Sequence, residues 1–234
     1  MNVAPSRLHE LVVKFRNWLA ENYSAEEIDQ LNIDDAGYPY WDEVGDYAIA
    51  LLAADGVATL SDAEQTDLLY LIARNWDLGW FIAWLSSGDQ LSNVGVLKQA
   101  DFLRLAAKVT TLTHAEFNDA KFQFAVSCKK FSVLTPELER VLLALYHDAH
   151  QYTKTCALAS LGKLHHPAIR ELVRQCWEVV CDEHAQIACL VVLDKYVKDD
   201  ALMASYLALA SVLPGDKLAE IVAELKQELV SRQS

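Results

Sequence analysis

Turn-forming residues are scarce in this chain. Glycine and proline together account for only 13 of 234 residues, fewer than a β-sandwich with turn signals every ~8–12 residues would need. No apolar run approaches the ~18–20 residues of a membrane span. Residues 1–20 are amphipathic and interrupted by charge, so a secretory signal is not expected there. Cysteine is sparse and odd in number: five residues, at 128, 156, 176, 181 and 189, lie mostly inside helical patterns. That usage points to reduced thiols and a cytoplasmic setting, not a disulfide framework.

Catalytic signatures are missing too. The sequence has no Gly-x-Ser-x-Gly elbow, no glycine-rich phosphate loop, no His-Glu-x-x-His and no Glu-x-x-His of the di-iron type. Positive charge is the scarcest commodity in one region. Residues 1–90 hold sixteen acids against Arg7, Lys14, Arg16 and Arg74, an excess of twelve in a chain whose net charge is -13, whereas residues 91–234 hold seventeen acids and sixteen bases. A field of that sign repels nucleic acid and anionic membrane and draws in cationic partners. The plainer reading is that an acidic surface keeps the protein dispersed in water.

What fills the chain is helical periodicity. The spacing predicts a first helix from about Ser6 to Ala20, with Leu8, Leu11, Val12, Phe15, Trp18 and Leu19 on one face. Ser24 opens Ser-Ala-Glu-Glu as the cap of a short helix to Leu31. Asn32–Tyr40 is the longest turn-like passage, broken by Gly37 and Pro39. A helix over Trp41–Ala54 follows, with Val44, Tyr47, Ala48, Leu51 and Leu52 inward. Ser61–Glu64 reads as a capping box opening a helix to Arg74. An aromatic segment, Leu78–Leu85, carries Trp80, Phe81 and Trp84. Residues 92–109 are amphipathic through Val96, Leu97, Phe102, Leu103, Leu105, Ala106 and Val109. Thr113 is expected to cap the helix carrying Phe117, Ala120, Phe124 and Ala125.

From Thr135 onward the pattern repeats. Tyr152–Leu164 is answered 32 residues later by His184–Tyr196, pairing Cys156 with Ala188, Ala157 with Cys189, Leu158 with Leu190, Ala159 with Val191, Leu161 with Leu193 and Lys163 with Lys195. Pro136 and Pro167 lie 31 apart, each expected at a first helical position, and Leu138/Ile169, Val141/Leu172 and Leu142/Val173 match behind them. A third pair is expected over Asp199–Val212 and Lys217–Val230, the last with a polar face of Glu220, Glu224, Lys226, Gln227 and Glu228 suited to a terminal cap. A period near 32 built of helices points to a stacked-helix array.

Residues Pro136–Tyr196 resemble HEAT-like repeats, through Thr153-Lys154, Ala157-Leu158, Leu161-Gly162 and Pro167, and again Ala185, Ala188, Leu190 and Leu193. Lys154 and Gln186 stand where that family often has Arg. The resemblance covers about a quarter of the chain plainly; it implies helix packing and carries no activity. The expected architecture is therefore all-α: one α-solenoid of antiparallel helix pairs over residues 1–234, with about 12–13 helices and no sheet. Residues 1–90 form its acidic, less regular part and residues 91–234 its more regular repeats.

His147, His150, His165, His166, Cys176, Cys181 and His184 invite a metal reading, but no second ligand pair falls at a spacing that completes a tetrahedral site, so neither metal nor cofactor is expected. Cys156, Cys176 and Cys189 lie on apolar faces, where cysteine serves as a small hydrophobe. A DNA-alkylation glycosylase, which some HEAT-like solenoids of this length are, needs a basic groove that this composition does not supply.

The most unusual local feature is the acidic-aromatic stretch Asp34–Tyr47. It sets Asp34, Asp35, Asp42, Glu43 and Asp46 among Tyr38, Tyr40 and Trp41. Tyrosine and tryptophan concentrate binding energy, and carboxylates accept charge-assisted hydrogen bonds from Lys and Arg. The stretch reads as a docking surface for a basic protein, with Tyr38 and Tyr40 exposed in the turn; the bland reading makes the aromatics core anchors and the acids a solvated face. The expected function is binding, not catalysis. In size, charge and helicity the chain is similar in kind to immunity proteins of contact-dependent and other polymorphic bacterial toxin systems, which neutralise basic nuclease toxins. A scaffold binding a peptide along a concave face is the alternative.

Overall fold

The computed structural model describes residues 6–30, 37–54, 56–74, 99–179 and 182–233. Among them there are twelve α-helices and no strand. None is long and apolar enough to cross a membrane. The chain divides into two compact units, Met1–Lys130 and Phe131–Ser234.

The first unit contains α1 (Arg7–Asn22), α2 (Ala25–Gln30), α3 (Trp41–Ala54), α4 (Asp62–Arg74), α5 (Gln99–Thr110) and α6 (Asn118–Ser127). Local signals set most of these starts. Ser6 caps α1 by accepting from the His9 N–H. Ser24 and Glu27 bond reciprocally ahead of α2, and Ser61 and Glu64 do so ahead of α4. Each box satisfies two amide donors that a helix start leaves without intrahelical partners. Thr113 does not cap α6. A 3₁₀ turn at Ala115–Phe117 intervenes, and α6 begins at Asn118 with no side-chain cap.

α4 is the hub. Six consecutive residues, Leu68–Ala73, are all buried. A helix buried on every side of its second half must be enclosed by neighbours, and α4 packs against α1, α5 and α6. α1 offers Leu8, Leu11, Val12, Phe15 and Leu19, its predicted face with Trp18 at the margin. α5 offers Phe102, Leu105, Ala106 and Val109, and α6 offers Ala120, Phe124 and Ala125. The Gln123 amide adds a polar tie, donating to the Ile72 carbonyl at 3.1 Å. Leu78–Leu85, Val96 and Leu97 lie outside the described residues.

The second unit contains α7 (Pro136–Tyr146), α8 (Gln151–Lys163), α9 (Ile169–Val179), α10 (Glu183–Val192), α11 (Asp200–Ala210) and α12 (Asp216–Gln233). Thr135 caps α7 and Pro136 occupies its first position, where the missing N–H costs nothing. Pro167 does not play the matching part. It sits in a turn two residues before α9, whose first residue Ile169 donates to the His166 carbonyl. The 32-residue register between α8 and α10 reappears as burial. Ala157 and Cys189, Leu158 and Leu190, and Leu161 and Leu193 are buried in pairs; Cys156 and Ala188, and Ala159 and Val191, are half-buried in pairs; Lys163 and Lys195 are both exposed. α8 packs against α7 and α10, and α10 against α9 and α12.

Two close approaches fix this unit. A Cβ on Gly162 would stand 2.8 Å from the Tyr196 ring and 3.0 Å from a Val192 methyl, so α8 meets the end of α10 and the π-helical turn Leu193–Val197 at a distance only glycine allows. At the start of α12, Glu183 of α10 accepts the Leu218 N–H at 2.8 Å. Gly215, at φ +132, lies so near that carboxylate that an added Cβ would be 2.5 Å from its oxygen. The outward side of α12, including Glu220, Glu224, Lys226, Gln227 and Glu228, is exposed.

Candidate functional site

The acidic-aromatic stretch surrounds the junction of α1 and α3. Phe15 of α1 is fully buried, with Tyr38 at 4.9 Å, Trp41 at 5.1 Å and Tyr70 of α4 at 6.3 Å between ring centroids. Tyr38 also meets Trp18 at 5.4 Å, Tyr40 at 5.5 Å and Trp41 at 5.2 Å, mostly edge to face. Each such pair contributes ~0.5–1.5 kcal/mol beyond its buried area.

Tyr38 is therefore a core residue, only 3% exposed, and the expected exposure in the turn is corrected. Gly37, at φ +62, turns the chain immediately before it, and the ring inserts among Phe15, Trp18 and Trp41. Its hydroxyl is buried with no hydrogen-bond partner among the described residues, and burial pushes the phenol up to about 12. Tyr40 is 45% exposed, as the turn position predicts. Trp41 is half-buried. Asp34 and Asp35 lie outside the described residues.

The acids of α3 divide into two kinds. Glu43 is half-buried and neutralised within the unit: Lys14 donates to it at 2.7 Å and Arg7 donates to it as well. The hydrogen bond from Lys14, reinforced by the charges of Lys14 and Arg7, holds the Glu43 carboxyl below the usual range. Arg7 in turn holds Glu10 at 2.9 Å. Asp42 and Asp46 are exposed, one turn apart, and neither has a cation partner among the described residues. Like charges at this spacing cost a helix a few tenths of a kcal/mol, so fold stability gives no reason for both. Lys14 also lies 3.5 Å from the centroid of the Tyr40 ring. Sequence reasoning missed Lys14 and Arg7 as members of this site. Their scarcity in an acidic region was the available signal.

Among the described residues no group of three or more His, Cys, Asp or Glu side chains is placed to hold an ion. The His166 Nδ1 accepts the Ala168 N–H at 3.1 Å, and its Nε2 lies 2.8 Å from Glu139. His150 Nδ1 lies 3.0 Å from the Thr153 hydroxyl. Cys128, Cys176 and Cys189 are buried thiols, and Cys156 is a half-buried one. Burial alone pushes the Cys128 thiol up to about 12; the contact with Cys176, with burial, raises that of Cys189. The Cys128 and Cys189 thiols therefore stay protonated and pack as small hydrophobes, whereas the hydrogen bond with Cys189 lowers the Cys176 thiol. Cys181 lies outside the described residues.

No family model, no curated protein and no solved structure matches this chain.

Proposed function

We propose that this protein acts by binding a basic protein through its acidic N-terminal region, as an immunity protein that neutralises a nuclease-type toxin in the cytoplasm of a bacterial cell. The observation that carries the reading is the concentration of negative charge: sixteen acids against four bases in residues 1–90, with Asp42 and Asp46 exposed and without cation partners among the described residues. Such a field raises the association rate of a cationic partner and places carboxylates where a nuclease expects phosphates. The repeats serve as the scaffold of a HEAT-like α-solenoid. The register shared by α8 and α10, and the succession of packed helices α8, α10 and α12, support that description.

Co-purification of the tagged full chain from its native host identifies the partner; a secreted protein with a basic C-terminal toxin domain is the expected catch. Asp42→Asn with Asp46→Asn should slow association several-fold at low ionic strength and flatten its salt dependence. Association unchanged by that pair would remove the proposed surface. Loss of binding only on substitution within residues 131–234 would favour a scaffold gripping its partner along the repeats, and duplex-DNA binding at physiological salt would favour the glycosylase-like enzyme.

A further inference from the structure

Tyr40, Glu43 and Lys14 form an arrangement that the packing of α1 on α3 does not require. The contacts of fully buried Phe15 with Tyr38 and with half-buried Trp41 already join α1 to α3 and to the turn before it. Lys14 lies outside that cluster, its side chain 40% exposed. Its ammonium is 3.5 Å from the Tyr40 ring centroid and 2.7 Å from a Glu43 oxygen. A ring face and a carboxylate converging on one cation are the two elements by which proteins recognise ammonium and guanidinium groups. Ring and carboxylate are both solvent-accessible, at 45% for Tyr40 and 35% for the Glu43 side chain.

We propose that Tyr40 and Glu43 form a binding site for a lysine or arginine side chain of a basic polypeptide, and that Lys14 occupies it in the free protein as an internal stand-in. The inference deepens the reading of this region as a docking surface and names the atoms that take the partner's cation. Lys14 is half-buried on a long, flexible stem outside the ring cluster, so it is released without disturbing the buried rings. Arg7, bound to Glu43 and to Glu10, keeps the carboxylate in place while Lys14 leaves. Asp42 and Asp46, on the same helix, receive the displaced ammonium or further cations of the partner. An occupied site binds more weakly by the fraction of time it stands open, so the internal lysine lowers affinity for stray cations and yields only to a partner that supplies several contacts.

The test uses the full chain and a ten-lysine peptide at low salt, followed by calorimetry, and does not depend on the native partner. Lys14→Met should bind the peptide about five- to tenfold more tightly than the wild type. Lys108→Met is the control: it removes the same charge from another ion pair of the unit, Lys108 with Asp62 at 2.6 Å, and should change affinity less than about twofold. Adding Tyr40→Leu to Lys14→Met should erase the gain. Equal effects of Lys14→Met and Lys108→Met, or a gain that survives Tyr40→Leu, would overturn the proposal. Lys14→Gln provides the same comparison should Lys14→Met fail to melt cooperatively. A gain with no basic partner in the co-purification would leave the cation site standing and sink the immunity reading; a basic partner with no gain would do the reverse.

Discussion

In α8 and α10 a side chain's burial follows its place in a 32-residue register; around α4 it follows enclosure by neighbouring helices. Leu158 and Leu190 are buried because each holds the same position on equivalent helices. Leu68–Ala73 are buried because α1, α5 and α6 enclose one helix. The charges differ in the same sense. Residues 1–130 carry nineteen acids and ten bases, residues 131–234 fourteen and ten. A repeated unit leaves little room for an idiosyncratic feature, since each helix must present what its neighbours accept. A hub tolerates one, provided the central helix stays covered. The aromatic cluster and the exposed acids of α3 accordingly sit in the hub-built unit.

The largest expected effect tests the hub. Phe15→Ala empties the point where Tyr38, Trp41 and Tyr70 converge and should cost about 3–5 kcal/mol of stability, measured by urea denaturation followed by tryptophan fluorescence. A loss under about 1 kcal/mol would mean that the cluster decorates α1 and does not organise it. Next comes the register. Gly162→Ala puts a methyl group 2.8 Å from the Tyr196 ring and should cost about 1–3 kcal/mol; a neutral result would show that α8 and α10 are free to separate. The smallest effect sharpens the boundary between core and surface. Tyr38→Phe removes a buried hydroxyl that has no partner among the described residues, and should be neutral or stabilising by up to ~1 kcal/mol near pH 7.

The same substitution has a signature at high pH. The folded chain keeps the Tyr38 proton up to about 12, whereas an unfolded chain releases it near ~10. Over that window the native state binds more protons than the unfolded one, so stability falls as pH rises. The contribution is fully present below ~10 and declines toward about 12. Urea midpoints for the wild type and Tyr38→Phe should therefore diverge as pH passes ~10, with the variant less sensitive.

Features decided within one helical turn were readable from sequence. The boxes at Ser24–Glu27 and Ser61–Glu64, Thr135 ahead of Pro136, and the bounds of α3 need nothing beyond neighbours three or four residues away. The repeat was readable because equivalent helices pose the same packing problem twice. Features settled by distant chain were not. Pro167 looked like Pro136, but the turn preceding α9 holds it outside the helix. Tyr38 looked like a turn residue, and Phe15, twenty-three positions away, buries it. Glu43 reads in sequence as one of the docking acids, and Arg7 and Lys14, 36 and 29 positions away, pair with it. In the candidate site the composition was legible; which acids stay free was not, because pairing depends on how α1 lies on α3.

The carboxylate of Glu183, bonded to the Leu218 N–H beside Gly215, ties two distant parts of the chain together. The first turn of α12 obtains that acceptor from a residue 35 positions earlier, so the bond lasts only while α10 is in place. The C-terminal helix is thus fastened by a latch on α10, and opening α10 takes an acceptor away from its first turn.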